Sequence, residues 1–306
     1  MPVFEEFPYT NFHELNLDWL IRELLKIKAG IIDTESLKQY RTFDQVKYYI
    51  DGVNGDDDNP GTSAKPFRTL DRFMKLSEQY SAIEGHIIEA GSYRITDGST
   101  MSGLDVRIFG DVADVNVYLH GDDDVDYYHI FNSHLHLENV TAYVQNGANI
   151  NGNIIGVNAV IALYNASLPE GRIECNGGEL IIQIGTVKRC ILHNSFGRFY
   201  RTTIANTDPA ANGYDFVNSF VEMQKNNYTT ALTADGTNNA IINAISSHIA
   251  MRGTFASPAS TGTRYYNAVQ ATYCTILLNS TVESVLDANC VAASDLSKNL
   301  KQTITE

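Results

Sequence analysis

What most constrains this chain is a succession of short apolar segments between Gly85 and about Val285, each ended by Gly, Asn, Asp or Ser. His86-Ile87-Ile88-Glu89-Ala90, Asp105-Val106-Arg107-Ile108-Phe109-Gly110 and Leu180-Ile181-Ile182-Gln183-Ile184-Gly185 are typical. Segments this short and this rich in β-branched residues predict strands rather than helices. No long amphipathic helix separates them. That argues against βαβ winding and leaves a sandwich, a barrel or a parallel β-solenoid. Asn139, Asn146, Asn151, Asn158 and Asn165, near the ends of apolar segments, are predicted at turns that need left-handed backbone.

The chain has 306 residues, 43% of them hydrophobic, enough to bury a full core. A net charge of −14 repels phosphate, so neither nucleic acid nor an anionic membrane surface is an expected partner. No apolar run approaches the roughly 20 residues of a spanning helix. The opening Met1-Pro2-Val3-Phe4-Glu5-Glu6 lacks the basic and apolar regions of a signal peptide, which predicts folding in the cytosol of the producing cell. Cys175, Cys190, Cys274 and Cys290 show no C-x-x-C spacing and are read as small core residues.

Four regions are expected: 1–43, an N-terminal helical segment for attachment or oligomerisation; 44–85, a strand, a Gly/Asp loop and a capping helix; 86–290, the strand stack; and 291–306, a polar tail. In the first, Leu17, Leu20, Leu24 and Ile27 repeat at spacings of three and four, and Trp19 widens the apolar surface. This seam predicts a helix that packs on copies of itself or on another protein.

In the second region, Val46-Lys47-Tyr48-Tyr49-Ile50 reads as a strand and Asp51 to Gly61 as a tight loop. Asp56-Asp57-Asp58 does not fit an EF-hand, because Phe67 stands where the closing Glu belongs. No cofactor is predicted; an adventitious divalent cation at Asp56 and Asp58 is the only metal reading there. Phe67, Leu70, Phe73, Met74 and Leu76 then fall on one side of a short helix.

The stretch Tyr49-Ile50-Asp51-Gly52-Val53-Asn54-Gly55-Asp56-Asp57-Asp58-Asn59-Pro60-Gly61-Thr62-Ser63-Ala64-Lys65-Pro66-Phe67-Arg68-Thr69-Leu70 resembles the first residues of pectate-lyase-like right-handed parallel β-helix proteins, common among phage tailspikes. The segment Asn11 to Leu20 resembles the start of tail appendages from small tailed phages of Gram-positive bacteria. The resemblance implies a mainly β fold, a right-handed parallel β-helix with an N-terminal α-helical anchor and a short capping helix. It also implies a homotrimeric tail spike or fibre of the virion that attaches to a host cell-surface glycan and joins other tail or collar proteins through its N-terminal helix. The alternatives are a glycan-degrading lyase or hydrolase of the same fold, and a collar or head decoration without ligand.

No catalytic motif stands out. Asp122, Asp124, Glu174 and Glu179 are the candidate groove carboxylates, since an inverting hydrolase needs two about 6.5–9.5 Å apart. Asp208, Asp215 and Glu222 lie further along. Arg172, Arg189, Arg198 and Arg201 are available as partners, but nothing in the sequence ties them to a carboxylate. His134 and His136 share one strand face and His129 is close in sequence; they are read as exposed-face histidines, because zinc needs further ligands. Tyr127, Tyr128, Tyr200 and Tyr265 are the candidate glycan-stacking residues. In each aromatic pair one ring is expected to point outward.

Overall fold

The structure is a computed structural model that describes residues 46–77, 79–80, 82–96, 100–120, 127–145, 149–205, 213–228, 240–252, 267–272, 274–278 and 301–304. Every pairing between its strands is parallel. One sheet of eleven strands contains β1 (Val46–Ile50), β2 (Ala82–Ile87), β5 (Asp105–Gly110), β8 (His134–Glu138), β11 (Val160–Tyr164), β13 (Glu179–Gln183), β15 (Phe196–Tyr200), β18 (Phe220–Gln224), β21 (His248–Arg252), β23 (Thr275–Leu278) and β24 (Lys301–Ile304), in that order. A second contains β4 (Thr100–Ser102), β7 (Tyr127–Phe131), β10 (Asn153–Val157), β12 (Leu168–Asn176), β14 (Thr186–His193), β17 (Tyr214–Val217), β20 (Ala240–Ile245) and β22 (Asn267–Thr272). The short β16 (Thr203–Ile204) and β19 (Asn227–Tyr228) extend from β14, and β3 (Gly91–Arg94), β6 (Val115–His120) and β9 (Thr141–Gln145) form a third sheet. Each turn of chain visits the second sheet and then the long sheet. This is the expected parallel β-helix.

Strand alternation builds the core. In the long sheet Ile83, Val106, Leu135, Ile161 and Leu180 stand in one register column and are buried, while Glu84, Arg107, His136 and Glu179 beside them face out. The corner between the second and long sheets is a single left-handed residue on successive rungs: Asn132, Asn158, Asn194, Asn218 and Ser246, with Gly103 and Gly177 in the same role. Asn139 and Asn165 do the same at the next corner, followed by Ile184, Arg201 and Lys225. Of the predicted turn asparagines, Asn139, Asn158 and Asn165 take this conformation. Asn151 instead bridges Val144, and Asn146 lies outside the described residues.

Just past the first corner runs a column of buried serines. Ser195 and Ser219 each donate to carbonyls of their own and the preceding rung, and the Ser195 N–H donates to the Ser219 hydroxyl at 3.3 Å. The spacing of these links, 29, 17, 24 and 28 residues, shows how uneven the rungs are in length. Cys175, Cys190 and Cys274 are buried in the core, as expected.

The mouth of the stack is closed by the segment between β1 and β2. The Tyr49 N–H donates to the Gly61 carbonyl at 2.8 Å, Phe67 N–H to Tyr49 at 2.9 Å, and Asp51 N–H to Phe67 at 2.8 Å, so the free edge of β1 is paired by its own loop. Helix α1 (Leu70–Ser77) starts on Thr69, whose hydroxyl accepts from Arg72 N–H at 3.2 Å, and lays Leu70, Phe73 and Leu76 on the first rungs. Asp57 shapes the loop by accepting from the N–H groups of Arg68 and Thr69 and from the Thr69 hydroxyl. The long sheet thus begins at Val46, ahead of residue 86, and takes in Lys301–Ile304. Leu17, Trp19, Leu20, Leu24 and Ile27 lie outside the described residues.

Candidate functional site

Glu174 sits in β12, which turns a corner. Its register against β14 shifts between Leu168 and Arg172, where Gly171 leaves no room for a Cβ: one would lie 2.5 Å from the Gly152 carbonyl oxygen. Beyond that kink, Ile173 and Cys175 point into the core, and Arg172, Glu174 and Asn176 point out from the second sheet. The outward row through Glu174 runs, rung by rung, His129, Ile155, Glu174, Ile191, Asp215 and Asn243. A parallel row places Arg172 beside Arg189.

These rows converge on one patch. Asp215 accepts from Arg189 Nε at 3.0 Å, from Arg189 Nη2, and from Asn243 Nδ2 at 2.9 Å. Glu174 accepts from Asn176 Nδ2 at 3.2 Å, and Arg172 Nη2 is 3.9 Å from its other oxygen. Arg172 in turn donates to the Tyr127 hydroxyl at 3.1 Å and packs over that ring. Glu174 and Asp215 lie two rungs apart in one row, about 9.5 Å between Cα atoms at the usual strand spacing. Inverting glycosidases hold a water between two carboxyl groups about 6.5–9.5 Å apart, and side chains projecting two rungs apart from one row fall in that neighbourhood.

The structure distributes the sequence candidates unevenly. Glu174 enters the patch, together with Tyr127 and with Arg172, Arg189 and Asp215, whose pairing only register reveals. Glu179 does not: the Gly177-Gly178 bend carries it onto the long sheet, so it shares a rung with Glu174 but faces another flank. Tyr128 is 2% exposed, turned into the core by the alternation that turns Tyr127 out, and is no ligand-stacking residue. Asp122, Asp124, Asp208 and Tyr265 lie outside the described residues. Tyr200 lies on the long sheet beside Arg198 and Glu222, which pair at 3.3 Å.

The histidines separate as well. His129 belongs to the second sheet, whereas His134 and His136 face out from the long one. His134 Nδ1 meets Asp105 at 3.2 Å, Arg107 grips the same carboxylate, and His136 Nε2 meets Glu138 at 3.1 Å. Burial acts to raise the Asp105 pKa, but the hydrogen bonds from His134 and Arg107 outweigh it and hold the group at about 2. The His136 pKa is lowered, chiefly by burial, with Glu138 opposing. Rings of Tyr49, His86, Phe109, His136 and Tyr164 stack along this flank. Among the described residues no three His, Cys, Asp or Glu side chains gather to hold a metal, and no helix is long and apolar enough to cross a membrane.

No family model matches the chain, and no curated protein matches it. Among solved structures it is similar to a GH136 lacto-N-biosidase from Eubacterium ramulus, at 11% identity and a TM-score of 0.40, over 95% of this chain and 72% of that one. It is also similar to a rhamnogalacturonan lyase, at 12% identity and a TM-score of 0.34, over 85% and 86% of the two chains. Likenesses this remote carry no argument about activity.

Proposed function

We propose that this chain is a glycan-active β-helix that lays a polysaccharide across the second sheet and cleaves it between Glu174 and Asp215. One observation supports the reading: two carboxylates share an outward row two rungs apart, each beside an arginine. Asp215, already accepting from Arg189 and Asn243, suits the base that orients a water. Glu174, in register between Ile155 and Ile191 and with fewer hydrogen bonds, suits the acid that protonates the leaving oxygen. Arg172 and Tyr127 would seat the sugar. The test is release of reducing ends from Gram-positive capsule and wall polysaccharides by the whole chain, and its loss in Glu174→Gln. Unsaturated products would assign a lyase instead, and no release from any of them would end the reading.

A second reading rests on the lid formed by β1, its loop and α1, which occupies the segment that resembles the start of tailspike β-helices. Under it the chain is a homotrimeric virion appendage that adsorbs to host glycan, attached to tail or collar through Leu17, Trp19, Leu20, Leu24 and Ile27. Native mass measurement tests this: a trimer that dissociates in Leu20→Asp/Leu24→Asp is expected, and a full-length monomer would sink it.

A further inference from the structure

The long sheet, on the flank away from Glu174 and Asp215, carries a cleft of about 350 Å³. We propose that this cleft is a second glycan site, one that holds a neutral, linear oligosaccharide along the solenoid axis without cleaving it. The proposal rests on the glycan-active reading of the chain.

Gln183, Tyr200 and Gln224 are Cα partners on the successive strands β13, β15 and β18, all facing out. Among the described residues, neither the two amides nor the Tyr200 hydroxyl has a hydrogen-bonding partner. Three polar groups are therefore held on a rigid floor with their bonding capacity unspent, repeating at the strand spacing of about 4.8 Å. An extended glycan rises by a similar amount per pyranose ring, so adjacent sugars would meet equivalent groups on adjacent rungs. Arg201 packs over the Tyr200 ring at 5.3 Å and braces the phenol beside the amides. The size of the cleft is that of a small-ligand pocket.

Charge selects the class of ligand. The charged side chains of the cleft, Arg198 and Glu222, pair with each other at 3.3 Å. The lining charges of the cleft thus cancel, leaving Arg201 against the Tyr200 ring as the cation beside it, and the chain around it carries −14. An acidic glycan finds only Arg201, whose guanidinium already lies over the Tyr200 ring, and meets long-range repulsion from the rest of the chain; a neutral one meets no such penalty. A second copy of the chain is a poorer occupant, because the centre of a subunit contact is apolar and this row is amide and hydroxyl.

The experiment is calorimetric titration of the full-length chain carrying Glu174→Gln, so that cleavage does not consume the probe. The probes are linear hexasaccharides of β-1,4-linked glucose, mannose and N-acetylglucosamine. At least one is expected to bind, with a loss of about tenfold or more on adding Tyr200→Ala, as for an anchoring side chain. Gln183→Ala/Gln224→Ala, which leaves the ring in place, should give a comparable loss. Binding to none of the three, or binding indifferent to both changes, overturns the proposal. So does a change in native mass with Tyr200→Ala, which would make the row a subunit contact. Reducing-end release by the unsubstituted chain is read separately, so a silent cleft and an inactive Glu174–Asp215 patch are told apart.

Discussion

Glu174 and Asp215 face outward from the same row of the second sheet with Ile191 between them, and each lies beside its own arginine. The arrangement differs from a structural ion-pair ladder in its asymmetry. Asp215 is gripped from two sides and its side chain is only 12% exposed, whereas Glu174 meets Arg172 only at 3.9 Å. A purely structural pair would gain most from both grips being tight.

The first prediction follows from that asymmetry. Glu174→Gln should lower polysaccharide cleavage by about 10²- to 10⁴-fold, the usual contribution of a general acid. It should leave the melting temperature close to that of the unsubstituted chain, since it keeps shape and loses only a long ion pair. Asp215→Ala should lose activity and stability together, by about 3–5 kcal/mol, because it strands the half-buried Arg189. Assays of reducing ends alongside thermal melts separate the two. Equal melting losses for both would make the patch structural.

A second prediction concerns Ile184, which holds φ at 57° although it is β-branched, in a corner column where Asn139 and Asn165 stand on earlier rungs. Left-handed backbone crowds a Cβ and costs an L-residue about 1–2 kcal/mol. The side chain is 43% exposed, so little burial is lost on replacing it. Ile184→Asn should therefore stabilise the chain by about 1 kcal/mol. Ile184→Gly should do less, offset by its freer unfolded state. Urea midpoints check this; a lower midpoint for Asn would mean that the isoleucine makes a contact worth more than its strain.

How far the sequence could be read is visible in these same residues. Short β-branched segments, turn asparagines and the Phe67–Leu76 cap were legible because each is a local signal: period, propensity, punctuation. The partnership of Glu174 with Asp215 was not. Rungs between 17 and 29 residues long give no fixed period from which register could be counted. The Gly177-Gly178 bend shows the consequence, since two carboxylates five positions apart end on different sheets while two far apart in the chain share a row. Arg172, between Glu170 and Glu174, carried a local hint, whereas Arg189 has no acid near it in sequence and meets Asp215 only through register.

The third prediction is one of pH. Asp105 and His136 both have folded pKa values below their unfolded ones, Asp105 at about 2. A depressed pKa means that the unfolded chain binds the proton more readily, so the stabilisation is present above the unfolded pKa and fades as pH falls. His136 should lose its share below about pH 6.5, and Asp105 its share between about pH 4 and 2. Stability should therefore fall in two stages on acidification. His136→Gln should flatten the first. Asp105→Asn should be less stable than the unsubstituted chain at pH 6, with the gap closing toward pH 2. Denaturant titrations across this range decide it, and a gap that stays constant with pH would refute the role given to Asp105.

The fourth prediction tests the lid. Phe73 is fully buried where α1 meets the first rungs, within 3 Å of where a Cβ on Gly85 would lie. Phe73→Ala should cost about 3–5 kcal/mol by the emptied space alone. Position matters beyond that sum, because the same helix shields the end of a stack whose next strand would otherwise be a pairing edge. The comparison that isolates this effect is Phe216→Ala, an equally buried ring in the middle of the stack. Both variants should lose similar stability in denaturant. Only Phe73→Ala should increase end-to-end association, seen as a rise in light scattering with concentration well below its melting temperature. If the two scatter alike, α1 contributes packing but no protection, and the paired loop from Gly61 to Phe67 closes the mouth by itself.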